Sequence, residues 1–263
     1  MQISILGCGW LGFPLAETLV KNHTVKGSVT TPEKLATLQA AGVQPYCIDL
    51  NNPDEGTITA FLQGSDVLVI AIPPKLRAET GISYPEKLNN LLPYIVSVGI
   101  KKVLFTSSIS VYGESEALPQ VDETTVPIPE TESGKQVLAA EQVLALCTDF
   151  KTTIVRLGGL TGGERHPVYH LAGRQNLENP EGPVNLINRE ECLAILTAVI
   201  DKNCWGEVFT AVHPETKNRK EYYTEKAAEL GLPLPNFVEG SLKGKFVKGQ
   251  DKLMDLLGFS FEK

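Results

Sequence analysis

Residues 3–12 read ISILGCGWLG, a short apolar run that leads directly into three glycines with the spacing G-x-G-x-x-G. Each glycine has a separate task in such a turn. Gly7 permits a tight reversal, Gly9 lets a phosphate group approach the backbone, and Gly12 lets the following helix pack closely on the strand. The motif is informative because a predicted strand precedes it and a predicted helix follows it. We therefore predict that this turn binds the diphosphate of a dinucleotide.

Beyond the turn, apolar runs bounded by turn signals alternate with helical patterns. The predicted strands lie at residues 3–6, 25–29, 43–48, 67–72, 103–105 and 153–157, and the predicted helices at 11–21, 32–41, 58–62, 85–98 and 135–146. Continuous apolar strands that alternate with helices imply right-handed crossovers and a parallel sheet covered on both faces. We predict an α/β fold, a Rossmann-type doubly wound parallel sheet with a smaller C-terminal lobe on the substrate side.

The regular alternation ends after Leu157, where GGLTGGERHP begins a loop-rich stretch. We therefore predict a dinucleotide-binding domain at residues 1–160 and a smaller C-terminal lobe at 161–263. Within the second part, residues 185–212 are predicted to return to the sheet. Its predicted elements are helices at 189–200, 220–230 and 251–257 and a strand at 208–212.

The composition of the chain excludes several classes of protein. The 263 residues are 42% hydrophobic and carry a formal net charge of −7, and they contain no run of Lys and Arg, so no nucleic-acid partner is expected. The five cysteines are scattered without C-x-x-C spacing, which is typical of reduced thiols. No apolar run approaches the ~18 residues of a membrane span, and the first residues lack a signal peptide. We expect a cytoplasmic monomer or homodimer that binds a small molecule and no membrane.

The end of the second strand bears on the choice of dinucleotide. An acid that holds the adenine ribose of NAD is expected about 20 residues after the glycine turn, but residues 26–31 read KGSVTT. The hydroxyls of Ser28, Thr30 and Thr31 would instead accept a 2′-phosphate, with help from the ammonium group of Lys34. NADP is therefore slightly favoured over NAD.

The fifth strand carries the most specific motif. Residues 103–113 read VLFTSSISVYG, and together with the glycine turn this ending resembles the extended short-chain dehydrogenase/reductase family, the NAD-dependent epimerase/dehydratase group. RLGG at 156–159 and DKLMDLLGF at 251–259 are similar to that family as well, so the resemblance covers nearly the whole chain. It implies that Ser108 matches the serine that hydrogen-bonds the reacting oxygen of the substrate.

The same resemblance implies a tyrosine and a lysine on the next helix, where they would serve as acid/base and lower its pKa. Those positions fall at Ser133 and Val137, so both residues are replaced, and no tyrosine lies between Tyr112 and Tyr169. An unassisted serine is a poor base at neutral pH, so we interpret Ser133 as a helix N-cap. The combination is similar to the atypical short-chain dehydrogenase/reductases that include the YeeZ-like proteins, whose chemistry is ill defined.

A loop in the C-terminal part offers replacement groups. Glu164, Arg165 and His166 follow two glycines where this fold opens toward substrate. They would bind a carboxylate or phosphate, and His166 would supply a substitute acid/base. The alternative is a surface loop held by Pro167 with its charges in solvent. His166 and His170 have i, i+4 spacing, but no third ligand is visible, so no metal site is predicted.

Two functions follow from these features. The favoured one is an NAD(P)-dependent oxidoreductase or epimerase that acts on a polar small molecule with a non-standard active site. The alternative is a non-catalytic dinucleotide-binding sensor or interaction protein, because both the tyrosine and the lysine are lost. The predicted cofactor contacts outside the glycines are Trp10 and Leu11, whose amides open the first helix, Ala71, Ile72 and Pro73 after the fourth strand, and Thr106 on the fifth.

Overall fold

A computed structural model describes residues 1–74, 81–215, 217–240 and 242–261 of the chain. The strands in these residues are β1 (Gln2–Leu6), β2 (Thr24–Val29), β3 (Gln44–Cys47), β4 (Val67–Ile70), β5 (Lys102–Ser108), β6 (Gln120–Val121), β7 (Lys151–Leu157), β8 (Gly159–Thr161), β9 (Leu186–Asn188), β10 (Val208–Ala211) and β11 (Phe246–Val247). Within the described residues, seven of them form one sheet in the order β10-β7-β5-β4-β1-β2-β3. Every pair in this sheet is parallel.

The central strands are apolar on both faces. In β4 all residues are buried, with Val67 and Val69 on one face of the sheet and Leu68 and Ile70 on the other. The two faces belong to two separate apolar clusters, as expected when successive side chains of a strand point to opposite sides. This is why the strands appear in the sequence as unbroken apolar runs.

Helices cover both faces of the sheet. They are α1 (Gly12–Leu19), α2 (Leu35–Ala40), α3 (Glu55–Leu62), α4 (Tyr84–Ser97), α5 (Glu132–Ala145), α6 (Val168–Leu171), α7 (Arg189–Asp201), α8 (Arg219–Glu229) and α9 (Gln250–Leu257), with 3₁₀ turns at Pro32–Lys34 and Ile109–Val111. Helices α1, α7 and α9 pack on one face, and α3, α4 and α5 on the other. None of the helices in the described part of the chain is long and apolar enough to cross a membrane.

The predicted Rossmann-type doubly wound sheet is confirmed. The chain adds β2 and β3 on one side of β1, and then crosses to add β4, β5, β7 and β10 on the other. Such a reversal leaves a crevice at the carboxyl ends of the strands beside β1, and ligands of this fold class bind there. The helix predicted at 32–41 differs in detail, because its first turn is the 3₁₀ segment Pro32–Lys34.

The C-terminal part of the chain contains a small separate apolar cluster, here called the C-terminal lobe, and also returns to the sheet. In the lobe, α6 and α8 bury Val168, Tyr223 and Ala227 against each other. Strand β10 then pairs with β7 at the edge of the central sheet. Two further short parallel pairs, β8 with β9 and β6 with β11, lie outside the seven-stranded sheet.

Candidate functional site

A cavity of about 620 Å³ opens at the carboxyl end of the sheet, at the reversal of strand order. Its walls are mainly the ends of the strands and the segments that follow them. The lining consists of residues 6–11, 28–30, 48–51, 71–74, 106–108 and 157–160 together with Lys34, Tyr84, Lys87, Val137 and Arg165. Most residues predicted for the cofactor are thus brought together.

The glycine turn forms one wall, and its three glycines differ in what they require. Gly7 has a φ of +99°, and a Cβ built at Gly12 would lie 2.2 Å from the Gly7 carbonyl oxygen. Conformation and packing therefore explain these two glycines. Gly9 has neither constraint, because its φ is not positive and a Cβ there meets no atom of the described residues within 4 Å. The missing side chain at Gly9 leaves open space beside the cavity instead.

Hydrogen bonds to Ser28 of β2 hold the glycine turn in place. The Oγ of Ser28 accepts the amide of Gly7 at 3.0 Å, and the Ser28 carbonyl accepts the amide of Cys8 at 2.7 Å. Helix α1 begins without a side-chain cap, and in the described structure the amides of Trp10 and Leu11 donate to no acceptor. Unpaired amides at a helix N-terminus attract an anion. This arrangement fits the diphosphate of a dinucleotide.

The region expected to face the adenine ribose has no acid at the end of β2. Thr30 and Lys34 line the cavity there, whereas Ser28 is engaged by the glycine turn. Thr31 is exposed, precedes the 3₁₀ turn and does not line the cavity. Asp49 lines the cavity, but its carboxylate accepts two bonds from Asn51 at 3.0 Å each. Of the predicted 2′-phosphate ligands, the structure therefore brings Thr30 and Lys34 to the cavity with free polar groups.

Three hydroxyl residues of β5 line the cavity, and two of them, Thr106 and Ser108, are predicted site residues. The Oγ1 of Thr106 donates to the carbonyl of Ile70 at 3.2 Å, which commits this hydroxyl to the sheet. The Oγ of Ser108 accepts the amide of Ser110 at 3.1 Å. Because this bond uses Ser108 as an acceptor, its own proton is available to a group in the cavity. Ser108 can therefore donate a hydrogen bond to an oxygen bound beside it.

The positions of the missing tyrosine and lysine differ in environment. Val137 lines the cavity and is 4% exposed, so the wall is hydrocarbon where the lysine is expected. Ser133 lies in the first turn of α5 and is not part of the lining. The interpretation of Ser133 as the N-cap is wrong, because Thr131 is the cap and its Oγ1 accepts the amide of Gly134 at 3.0 Å.

A tyrosine from α4 enters the cavity wall instead. The hydroxyl of Tyr84 donates to the carbonyl of Ile72 at 2.8 Å, and the amide of Tyr84 donates to Gln136 Oε1 at 3.2 Å. Burial raises the pKa of Tyr84, so its phenol stays protonated. Lys87, one turn later, also lines the cavity. The sequence predicts a helix here, but only the packing of α4 against α5 brings Tyr84 and Val137 into the same cavity lining.

His166 lies outside the cavity lining, in the C-terminal lobe. Its Nδ1 accepts the amide of Val168 at 3.1 Å, and its Nε2 is 3.2 Å from the hydroxyl of Tyr222. Burial, together with the positive charge of Lys226, lowers the pKa of His166. The structure therefore does not bring the proposed substitute acid/base to Ser108. We expect His166 at the cavity because of the loop on which it lies, but its hydrogen bond to Tyr222 holds it against α8.

Of the two residues before His166, Arg165 lines the cavity and Glu164 does not. Arg165 lines the cavity, and its guanidinium carbon lies 4.9 Å from the centre of the Trp10 ring. Glu164 is exposed and does not line the cavity. Among the described residues, no three His, Cys, Asp or Glu side chains cluster as a metal site requires.

Beneath the cavity lies a buried ionic network that the sequence analysis did not identify. The guanidinium of Arg156 donates to both carboxylate oxygens of Glu141, at 3.0 and 2.7 Å, and to the hydroxyl of Tyr112 at 2.7 Å. Ser107, which lines the cavity, donates to Glu141 from above. The network connects the floor of the cavity to α5 and β7.

The chain is similar to known proteins in sequence and in fold. A family model described as NAD(P)H-binding matches residues 7–202. Protein YeeZ of Escherichia coli strain K12 is 30% identical over 267 residues, which cover 99% of this chain and 96% of the relative. This relative therefore matches the chain over almost its full length.

Solved structures share the fold at lower identity. A UDP-glucuronic acid 4-epimerase from Bacillus cereus in complex with NAD has a TM-score of 0.81 and 22% identity, with 100% of this chain and 94% of that chain covered. A functionally unknown conserved protein from Silicibacter pomeroyi has a TM-score of 0.79 at 22% identity, with the same coverage. A short-chain dehydrogenase/reductase superfamily protein from Agrobacterium tumefaciens with bound NAD has a TM-score of 0.79 at 17% identity, covering 100% and 93%.

Proposed function

Because the chain belongs to the NAD(P)H-binding family and is a relative of protein YeeZ along its whole length, we propose that it is an NAD(P)-dependent oxidoreductase or epimerase of the epimerase/dehydratase type. Its substrate is a polar small molecule that enters the cavity beside Ser108. The active site is non-standard, since Ser133 and Val137 stand at the positions of the family's tyrosine and lysine.

The observation that carries the proposal is the open space at Gly9. Neither backbone conformation nor packing demands a glycine there, whereas a diphosphate that reaches the amides of Trp10 and Leu11 does. The absence of an acid at the end of β2, together with Thr30 and Lys34 in the lining, favours NADP over NAD. A bound nicotinamide dinucleotide supplies the acceptor or donor of hydride.

The chain itself positions the substrate oxygen. The hydroxyl of Ser108 accepts the amide of Ser110, so its proton is directed to an oxygen in the cavity. Tyr84 is a weaker donor to substrate, because its hydroxyl already donates to Ile72. Val137 gives the wall no proton-accepting group, so water exchanges the proton of the reaction while Ser108 holds the substrate oxygen.

The first test is a calorimetric titration with NADPH and NADH. The unmodified protein is expected to bind at least one of them at micromolar concentration. Gly9→Asp places a carboxylate in the open space, where it repels the diphosphate without a clash, so binding should fall more than about tenfold. Gly240→Asp is the matched control, because Gly240 is exposed and also meets no described atom within 4 Å. An unchanged dissociation constant in Gly9→Asp would place the dinucleotide elsewhere.

The second test concerns catalysis. Ser108→Ala removes the hydrogen bond to the reacting oxygen, so kcat is expected to fall by about 100-fold in any substrate turnover that a screen detects. The dissociation constant for the dinucleotide should stay within about twofold, because the cofactor contacts are unchanged. Equal turnover by the variant and the unmodified protein would remove Ser108 from the mechanism.

A second candidate function is a dinucleotide-binding sensor without hydride chemistry. The buried Val137 favours it, since an aliphatic side chain stands where a catalytic pair requires a cation. The sensor would bind NADPH and lose binding in Gly9→Asp, but would show no hydride exchange with any substrate. One substrate whose turnover depends on Ser108 would favour the enzyme over the sensor.

A further inference from the structure

Arg165 reaches across the entrance of the cavity to the glycine turn. It follows β8 in a tight turn, in which Gly162 and Arg165 exchange backbone hydrogen bonds of 2.9 and 3.1 Å. Its guanidinium carbon lies 4.9 Å from the centre of the Trp10 ring. Trp10 belongs to the glycine turn, and its amide and that of Leu11 have no acceptor in the described residues. The side chain therefore spans the cleft above the expected diphosphate.

The charge of Arg165 is not balanced within the described chain. Its guanidinium makes no ion pair there, in contrast to Arg156, which pairs with Glu141, and Arg189, which pairs with Glu190. Arg189 also contacts the Trp10 ring, at 5.2 Å, but it lines a separate surface cleft between α1 and α7. Of the two arginines at Trp10, Arg165 is therefore the one that faces the cavity with a free charge.

We propose that Arg165 binds the diphosphate of the dinucleotide, with a side chain that comes from the loop after β8 and ends beside the glycine turn. This inference rests on the proposed function, because it requires the dinucleotide to lie on residues 9–11. The planar guanidinium donates two parallel hydrogen bonds to phosphate oxygens, which a lysine cannot do. The cation–π contact with Trp10 holds the guanidinium in place before binding, so less side-chain entropy is lost when the ligand arrives.

The net charge of the chain makes a cation beside the diphosphate favourable. At a formal −7 the protein as a whole repels a dinucleotide. Backbone amides of the turn supply only partial charges, whereas Arg165 supplies a full positive charge at the same place. The C-terminal part of the chain would thus take part in cofactor binding, through one side chain on the loop after β8.

The experiment compares NADPH binding by calorimetry in the unmodified protein, Arg165→Gln, Arg165→Lys and the control Arg189→Gln. Arg165→Gln should weaken binding by about tenfold or more, because a charged hydrogen-bonding partner of the phosphates is lost. Arg165→Lys keeps the charge and should recover part of the loss. Arg189→Gln should stay within twofold, since Arg189 contacts the same ring from outside the cavity.

Salt dependence separates a direct contact from a structural effect. The dissociation constant of the unmodified protein should rise with salt, and this rise should be smaller in Arg165→Gln, because one screened charge is gone. Equal binding and equal salt dependence in the two proteins would overturn the role of Arg165 and leave the proposed function standing. A higher KM for an anionic substrate with unchanged NADPH binding would also overturn it, and would assign Arg165 to the substrate. No binding of NADPH or NADH by the unmodified protein would remove the proposed function itself.

Discussion

At the scale of single residues, the hydrogen-bond partners of His166 determine which of its ring nitrogens carries the proton. Its Nδ1 accepts an amide proton from Val168 and must stay unprotonated to do so, which leaves the proton on Nε2, beside the hydroxyl of Tyr222. Protonation of the ring would break the first bond and place a second cation near Lys226. The neutral imidazole is therefore part of the packing between α6 and α8.

This arrangement predicts a pH dependence of stability. The pKa of His166 is lowered in the fold by burial and by Lys226, although Glu229 opposes them. The unfolded chain therefore binds more protons, and the stabilising contribution is complete above the ordinary pKa of about 6.5 and is lost as the pH falls below it. Between pH 7.5 and 5.5, urea denaturation should show a smaller loss of unfolding free energy in His166→Gln than in the unmodified protein.

His170 provides the control for this prediction. Its side chain is exposed on α6, the short helix that follows His166 and Pro167, so His170→Gln should retain the pH dependence of the unmodified protein. Binding of NADPH should be unchanged in both variants, because neither histidine lines the cavity. Weakened NADPH binding or lost turnover in His166→Gln alone would return this residue to the active site.

At the scale of secondary structure, the start of α5 is determined by its cap and by one close contact. Thr131 caps the helix through Gly134, and a Cβ built at Gly134 would lie 2.2 Å from the carbonyl oxygen of Ser110. The glycine thus lets the first turn of α5 pack directly on the segment after β5. Ser133 lies between the two features without serving as the cap.

Two alanine substitutions test this start. Thr131→Ala should lower the unfolding free energy by about 1 kcal/mol, because an amide in the first turn loses its acceptor. Ser133→Ala should change it by less than about 0.5 kcal/mol, since alanine has the higher helix propensity and no cap is lost. Urea denaturation of the two variants checks both values. A larger loss in Ser133→Ala than in Thr131→Ala would mean that the helix begins two residues later.

The same elements show what the sequence could predict. The central strands and most helices were located because apolar periodicity is a local signal, as the buried run of β4 illustrates. The glycine turn was predicted with its three separate tasks because its spacing is local as well. The sequence predicts the cap of α5 at Ser133, whereas the cap is Thr131, because several polar residues near a helix start compete for that position. Element boundaries depend on such competition and are less certain than the elements themselves.

At the scale of the whole molecule, contacts between distant segments limited the prediction of the site. Tyr84 enters the cavity wall only because α4 packs on α5, and Arg165 reaches Trp10 only because the loop after β8 folds over the cleft. Neither contact leaves a pattern in its own stretch of sequence. The same loop leads the sequence to predict His166 at the cavity. Adjacent residues of a tight turn point in different directions, however, and His166 packs with α6 and α8 instead.

The network of Arg156 and Glu141 likewise joins segments far apart in the chain. It connects β7 to α5, and through Tyr112 it extends to the carbonyl of Asp122 at 2.6 Å. Lys245 donates to the carbonyl of Tyr112 at 2.9 Å, so a residue from the C-terminal part is bonded to the same tyrosine. Hydrogen bonds around Tyr112 therefore join the residues below the cavity to the C-terminal part of the chain.

A double-mutant cycle on Arg156 and Glu141 measures how strongly the two charges depend on each other. Burial would lower the pKa of Arg156, but Glu141 and Tyr112 together outweigh it and raise the pKa, which keeps the guanidinium charged. Either Arg156→Met or Glu141→Met alone leaves one buried charge without its partner, so each should lower the unfolding free energy by about 3–5 kcal/mol. The double variant buries no charge and should lose at least about 2 kcal/mol less than the sum of the single variants. Strictly additive losses in urea denaturation would show that the two side chains act independently, and the cavity floor would then be supported by packing alone.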